Sequence, residues 1–167
     1  LVTGSDIKKT KKQLFSSFID QCEGVFTCSG NVFYSNDRKI YENKLELPSD
    51  FIENLQLYLE MGSQTHNERE DIVDYIRGIY PQFEVSIGGT ISVDIYPVGK
   101  NKAQVVDKLE EIHGPDVSLV FVGDRNVPGG NDWPLAQRLE SRPGSDWYQV
   151  LGYEETRALI EYDELFI

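Results

Sequence analysis

Between residues 100 and 167 the sequence changes period four times, and that alternation limits the fold more than any single motif does. NKAQVVDKLEEI, PLAQRLESR and YEETRALIEYDELF carry apolar residues at helical spacing. VSLVFVGD and WYQVLG, which separate them, read as strands. The run VSLVFV is apolar almost without interruption, so the strand it predicts is a buried, parallel-type one. Helix and strand in alternation predict a parallel sheet flanked by helices. A chain of 167 residues has room for such a core and a small inserted domain.

The first hundred residues read differently. Leu1-Val2-Thr3-Gly4 looks like the end of a strand, followed by a turn and a helix capped by Ser5 or Asp6, with Ile7, Leu14, Phe15, Phe18 and Ile19 on its apolar side. GVFTCSGNVFYSNDRKIYENKL alternates like a strand pair with Asn36-Asp37 at the turn. SDFIENLQLYLE is a helix capped by Ser49 or Asp50, and EREDIVDYIRGIY a second one ended by Gly78 and Pro81. FEVSIGGTISVDIYP gives two short β runs around Gly88-Gly89, with Ile91, Val93 and Ile95 on one side and Ser92, Asp94 and Tyr96 on the other. Residues 45–96 are therefore expected to form an α+β insertion in an α/β core built from 1–44 and 97–167. One junction is awkward: the helix ending at Glu60-Met61 runs into GSQTHNERED without room for a strand pair.

Charge excludes one class of partner. The formal net charge is −12, whereas phosphate-backbone binding needs clustered Lys and Arg. Lys8, Lys9, Lys11 and Lys12 sit on one predicted helix and read as its solvated face. Cys22 and Cys28 form no disulfide framework and match no zinc spacing, as in a reduced cytosolic protein. No apolar run approaches the ~18 residues of a membrane span, and no signal peptide opens the chain. Localisation is expected to be cytoplasmic.

Three elements carry candidate chemistry. VFVGD delivers Asp124 to a strand's carboxyl end, where open α/β sheets form their sites. The loop VGDRNVPGGNDWP can fold back to bring Asn131 and Asp132 toward it, and converging oxygens without His or Cys favour a hard cation such as Mg²⁺. The plainer reading is a strand-end Asp capping the next helix. Second, Lys102 at a helix start opposes the macrodipole and invites an anion; the plainer reading is a surface Lys in a connecting loop, for which Lys100 is a neighbouring candidate. Third, Thr3-Gly4-Ser5 offers hydroxyls and backbone N–H groups to a phosphate, or simply an ordinary cap.

Hydroxyl at a strand end, Lys at a helix start and GD…ND at a later strand end follow the order of motifs two, three and four of the haloacid dehalogenase superfamily of phosphotransferases. The likeness narrows further. FEVSIGGTISVDIYPVGKNKAQVVDKL and SLVFVGDRNVPGGNDWPL resemble the IGGxISxDxxPxGxxK and GDxxxPGGND segments of the eukaryote-type phosphomannomutases, and VTGSDIKKTKKQL resembles their GGSD region. The resemblance implies a Rossmann-like parallel-sheet core of haloacid dehalogenase type with an inserted α+β cap. It implies interconversion of mannose 6-phosphate and mannose 1-phosphate through a phosphoaspartate and a sugar bisphosphate activator, in mannose metabolism leading to GDP-mannose.

Carried over by position, Asp124, Asn131 and Asp132 would form the Mg²⁺ site, and Lys102 would hold the phosphoaspartate. Thr3 or Ser5 would bind the moving phosphoryl group; Ser92, Asp94 and Arg69 would grip the hexose phosphate from the cap. A homodimer through the cap is implied as well. No DxD follows an apolar strand in the sequence, so the attacking Asp and the acid/base Asp are expected in residues before Leu1. A cap strand pair is expected to be missing near Met61-Gly62, and RLESRPGSDWYQV departs from the family after Trp133, which puts any further metal site there in doubt. Two alternatives stay open: a Mg²⁺-dependent sugar-phosphate phosphatase of the same superfamily, and a catalytically inactive sugar-phosphate-binding protein.

Overall fold

The computed structural model describes residues 1–62, 68–88 and 92–162. Among them it is a mixed α/β protein with three small sheets, and the chain divides into two units, Leu1–Asn101 and Lys102–Ile167. Gly89, Thr90 and Ile91 of the expected β turn, and the stretch after the Met61-Gly62 junction, lie outside the described residues.

In the first unit Asp6 caps helix α1 (Ile7–Gln13) by accepting the Lys9 N–H at 2.9 Å. The expected longer helix breaks where Leu14 turns extended, and a single turn, α2 (Ser16–Ile19), restarts after Phe15. That break resets the helical phase, so Ile19 is buried while Phe15 and Phe18 are exposed. Strands β1 (Val25–Thr27), β2 (Val32–Ser35) and β3 (Arg38–Glu42) follow as an antiparallel meander. Phe26 and Phe33 stack across β1 and β2 with centroids 4.3 Å apart. Asn36 and Asp37 make the second turn with φ of 48° and 61°, the left-handed pair that suits right-twisted strands. The expected strand pair is thus a three-stranded sheet, whose third member has almost no apolar face to announce it.

Helices α3 (Phe51–Glu60) and α4 (Glu68–Ile79) and the antiparallel hairpin β4 (Phe83–Ile87)–β5 (Val93–Pro97) enclose one core. Phe51, Val73, Ile76, Tyr80, Phe83 and Val85 are its buried members. Each such side chain contributes roughly 1.5–3 kcal/mol on burial. Direct partners in an antiparallel pair share a face, so Val85↔Ile95 and Ile87↔Val93 pack on the helices while Ser86↔Asp94 and Glu84↔Tyr96 face the other way. That second face is not a solvent face: Tyr96 and Ser86 are buried and share a hydrogen bond of 2.8 Å.

The second unit follows the predicted alternation: α5 (Gln104–His113), β6 (Val120–Gly123), α6 (Trp133–Glu140), β7 (Asp146–Gln149) and α7 (Tyr153–Tyr162). β6 and β7 pair in parallel, with Gly123 opposite Gln149. Val106, Leu135 and Leu139 pack with Leu119, Phe121 and Trp147. β6 is less buried than its apolar run predicts, with Val120 46% exposed. Among the described residues β7 is its one neighbour, and an edge strand keeps part of its surface in solvent.

Candidate active site

The loop between β6 and α6 folds back on its own strand end. Gly129 makes the bend with φ of 86°, and Gly130 lies so close to the Arg125 carbonyl that a Cβ there would sit 2.2 Å from its oxygen. Only glycine meets both demands. The return brings Asp132 to the strand: its Oδ2 accepts the Arg125 N–H at 3.0 Å and would lie 2.8 Å from a Cβ on Gly123.

Asp132 stands at the cap position of α6, yet its carboxylate accepts no helix N–H. It pairs instead with the Lys102 ammonium, and the two side chains are 4% and 7% exposed. Lys102 lies in the turn just ahead of α5, one residue before its cap, Ala103. The anion that its position invites is therefore Asp132, 30 residues away in sequence. Asn131 is buried beside Asp132, whereas Asp124 is exposed.

Asp124 is fixed through its backbone. Gln149, at the end of β7, donates from Nε2 to the Asp124 carbonyl at 2.8 Å and accepts the Asn126 N–H on Oε1 at 3.0 Å. Asn126, buried, donates from Nδ2 to the Tyr148 carbonyl at 2.9 Å and to the Gly123 carbonyl at 3.3 Å, while its Oδ1 has no partner. The motif reading missed both side chains. Asn126 was visible inside the loop, but only the parallel register brings Gln149 to it.

In the first unit, Thr3 Oγ1 accepts the Ser5 N–H at 3.1 Å, closing a local turn ahead of α1. The β1–β2 turn latches this loop: Cys28 N–H donates to the Ser5 carbonyl and Ser29 N–H to the Thr3 carbonyl, both at 3.0 Å. Cys28 and Ser29 hold φ of 51° and 57°, costly for residues with a Cβ and sustained here by those two bonds. Burial pushes the Cys28 thiol up, which keeps it protonated and unreactive.

Ser92 and Asp94 come together around Gly88, where a Cβ would meet Ser92 Oγ at 2.3 Å and Asp94 Oδ1 at 2.7 Å. Ser29, also absent from the motif reading, donates from Oγ to Asp94 Oδ2 at 3.5 Å. Arg69 lies in the first turn of α4, half-buried. The structure thus gathers the candidates into three groups: Lys102 and Asp132 beside the Asp124 peptide, Thr3 and Ser5 on the Cys28-Ser29 turn, and Ser92 with Asp94 at Gly88.

The chain resembles known proteins over much of its length. A phosphomannomutase of Galdieria sulphuraria is 24% identical over 82% of this chain and 71% of its own length. One from Dendrobium officinale is 27% identical over 81% of this chain and 70% of its own. A shorter match, to a phosphomannomutase of Solanum lycopersicum, reaches 38% identity over 38% of this chain. The family model for eukaryotic phosphomannomutase matches residues 52–160, a span that holds the hairpin, Lys102 and the whole GD…ND loop, and the chain belongs to that family.

Proposed function

We propose that this protein interconverts mannose 6-phosphate and mannose 1-phosphate, passing a phosphoryl group through a phosphoaspartate and a sugar bisphosphate that also serves as activator. One observation carries the reading: a buried Lys102–Asp132 pair held against the strand end that presents Asp124. Phosphoryl transfer asks little covalent chemistry of the protein and much positioning and charge stabilisation. A lysine that cannot leave its place suits that need.

Mg²⁺ fits the donors at this strand end. Asp124, Asp132 and Asn131 offer only oxygen and amide groups, and Mg²⁺ commonly takes one or two carboxylates and completes its shell with water and phosphate. Among the described residues no group of three or more His, Cys, Asp or Glu could hold a metal. When bound, the ion would offset charge on the phosphoryl oxygens. Lys102 would hold the phosphorylated aspartate, and Thr3 or Ser5 would donate to the phosphoryl oxygens. Ser92, Asp94 and Arg69 would orient the hexose phosphate.

In this reading residues 1–44 and 97–167 form a Rossmann-like core of haloacid dehalogenase type, and 45–96 the cap. The protein works as a homodimer through the cap, supported by the exposed Ile52, Leu57 and Leu59 of α3 and Met61 just after it. No described helix is long and apolar enough to cross a membrane, and a cytoplasmic location suits a sugar-phosphate substrate.

A coupled assay tests the proposal. The protein is given mannose 1-phosphate, Mg²⁺ and a catalytic amount of hexose bisphosphate. Mannose 6-phosphate should appear without release of inorganic phosphate, and Asp124→Asn should abolish turnover. Stoichiometric phosphate release would make it a phosphatase instead; saturable binding without turnover would make it a binding protein.

A further inference from the structure

Three consecutive residues after β6 have backbone groups held by side chains. The Asp124 carbonyl takes Gln149 Nε2 at 2.8 Å, the Arg125 N–H gives to Asp132 at 3.0 Å, and the Asn126 N–H gives to Gln149 Oε1 at 3.0 Å. Gln149 therefore grips both sides of the Asp124-Arg125-Asn126 segment with one amide. It can do so because the parallel register sets it opposite Gly123, with the Val150 N–H donating to the Gly123 carbonyl at 3.0 Å. Asn126 closes the clasp from the other direction, tying the Gly123 and Tyr148 carbonyls of the two strands to each other.

The clasp is not explained by its own hydrogen-bond balance. Asn126 is 3% exposed and leaves Oδ1 unpaired, an arrangement that packing alone disfavours. Gln149, by contrast, is exposed and could turn to solvent. An exposed amide held at both ends and a buried amide kept despite an unmet acceptor share one effect: neither the Asp124 peptide nor its neighbour can rotate.

We infer that Gln149 and Asn126 are positioning residues that hold Asp124 in its cation-binding conformation. This rests on the metal reading above. Groups that orient a ligand from outside the coordination sphere commonly alter metal affinity roughly 10–100-fold when removed.

The experiment titrates MgCl₂ into the protein by isothermal titration calorimetry at constant ionic strength. Thermal unfolding is recorded in parallel without the cation. Gln149→Met keeps the side chain's length and removes its bonds to the Asp124 carbonyl and the Asn126 N–H, along with a longer one to the Val150 carbonyl. It should raise the Mg²⁺ dissociation constant roughly 10–100-fold, with little change in the cation-free Tm because the residue is exposed. Asn126→Ala, which leaves the backbone bond to Gln149 intact, should weaken Mg²⁺ binding as well. A merely structural clasp would move Tm and leave the Mg²⁺ constant alone. Mg²⁺ binding by Gln149→Met within about twofold of the unaltered protein, against the 10–100-fold expected, overturns the inference and leaves the metal reading standing. If the unaltered protein takes up no Mg²⁺, both fall together.

Discussion

Replacing Lys102 with Met measures what the buried ion pair does for the β6–α6 loop. The paired side chains are 7% and 4% exposed, so neither charge has water to replace a lost partner. In the intact protein Asp132 Oδ1 takes the Lys102 ammonium and Oδ2 takes the Arg125 N–H at 3.0 Å. Met keeps the aliphatic bulk and deletes the charge, which leaves a buried carboxylate with the Arg125 N–H as its remaining support. Breaking a buried pair from one side costs about 3–5 kcal/mol. For a chain of this length that is a fall in Tm of about 6–20 °C, taking ~2–4 °C per kcal/mol. Adding Asp132→Asn should recover at least half of the loss, because the amide is neutral and still offers Arg125 an oxygen. Urea denaturation of the parent, both single variants and the double variant closes the cycle. The reasoning fails if Lys102→Met lies within about 1 kcal/mol of the parent, or if the double variant is no more stable than Lys102→Met alone.

Two further outcomes follow from the first unit. Gly88→Ala forces a Cβ to within 2.3 Å of Ser92 Oγ and 2.7 Å of Asp94 Oδ1, so both side chains must shift; kcat/KM for mannose 1-phosphate should drop roughly 10–100-fold with Mg²⁺ affinity unchanged, and an unaltered kcat/KM would remove Ser92 and Asp94 from the substrate site. Burial pushes the Tyr96 phenol up to about 12, against the opposing hydrogen bond from Ser86, while an unfolded Tyr ionises near ~10. Since the folded value is the higher one, this stabilisation is whole below pH ~10 and is lost as pH rises toward 12; denaturation at pH 9 and 11 should show the loss in the parent and a smaller one in Tyr96→Phe.

The sequence made the second unit legible because periodicity is a local property. Helix and strand spacing in NKAQVVDKLEEI, VSLVFVGD and PLAQRLESR survives whatever surrounds it, and α5, β6 and α6 form where it says. Burial is not local. VSLVFV reads as covered on both faces, but exposure of β6 depends on which strands lie beside it. β3 shows the opposite failure: RKIYE has little apolar pattern, and it forms because the Asn36-Asp37 turn returns the chain along β2. Alternation puts Tyr96 on the side of the hairpin opposite Val93 and Ile95, but that Tyr96 and Ser86 are buried there is packing no period encodes.

The site divides along the same line. Asp124, Asp132 and Lys102 stand out because their residue types are unusual where they occur: an acid ending an apolar strand, a cation ahead of a helix. Such anomalies show that a partner is needed without showing which. A lysine at that position could have waited for a phosphate, but the fold supplies Asp132 first. This narrows the chemistry that Lys102 can perform. An ammonium carries three donors, so the bond to Asp132 does not exhaust it, and the carboxylate fixes where the charge sits before any substrate arrives. On the proposed Mg²⁺ reading, Asp132, already paired, would have a weak claim on a cation, and Asp124, exposed at the strand end, would be the principal anionic ligand. The labour would then be split between two aspartates eight positions apart: one orienting the lysine, the other receiving the metal. If the split holds, Asp124→Asn should abolish Mg²⁺ binding while leaving Tm nearly unchanged. Asp132→Asn should lower Tm and retain most of the Mg²⁺ affinity. The reverse pattern would assign the metal to Asp132.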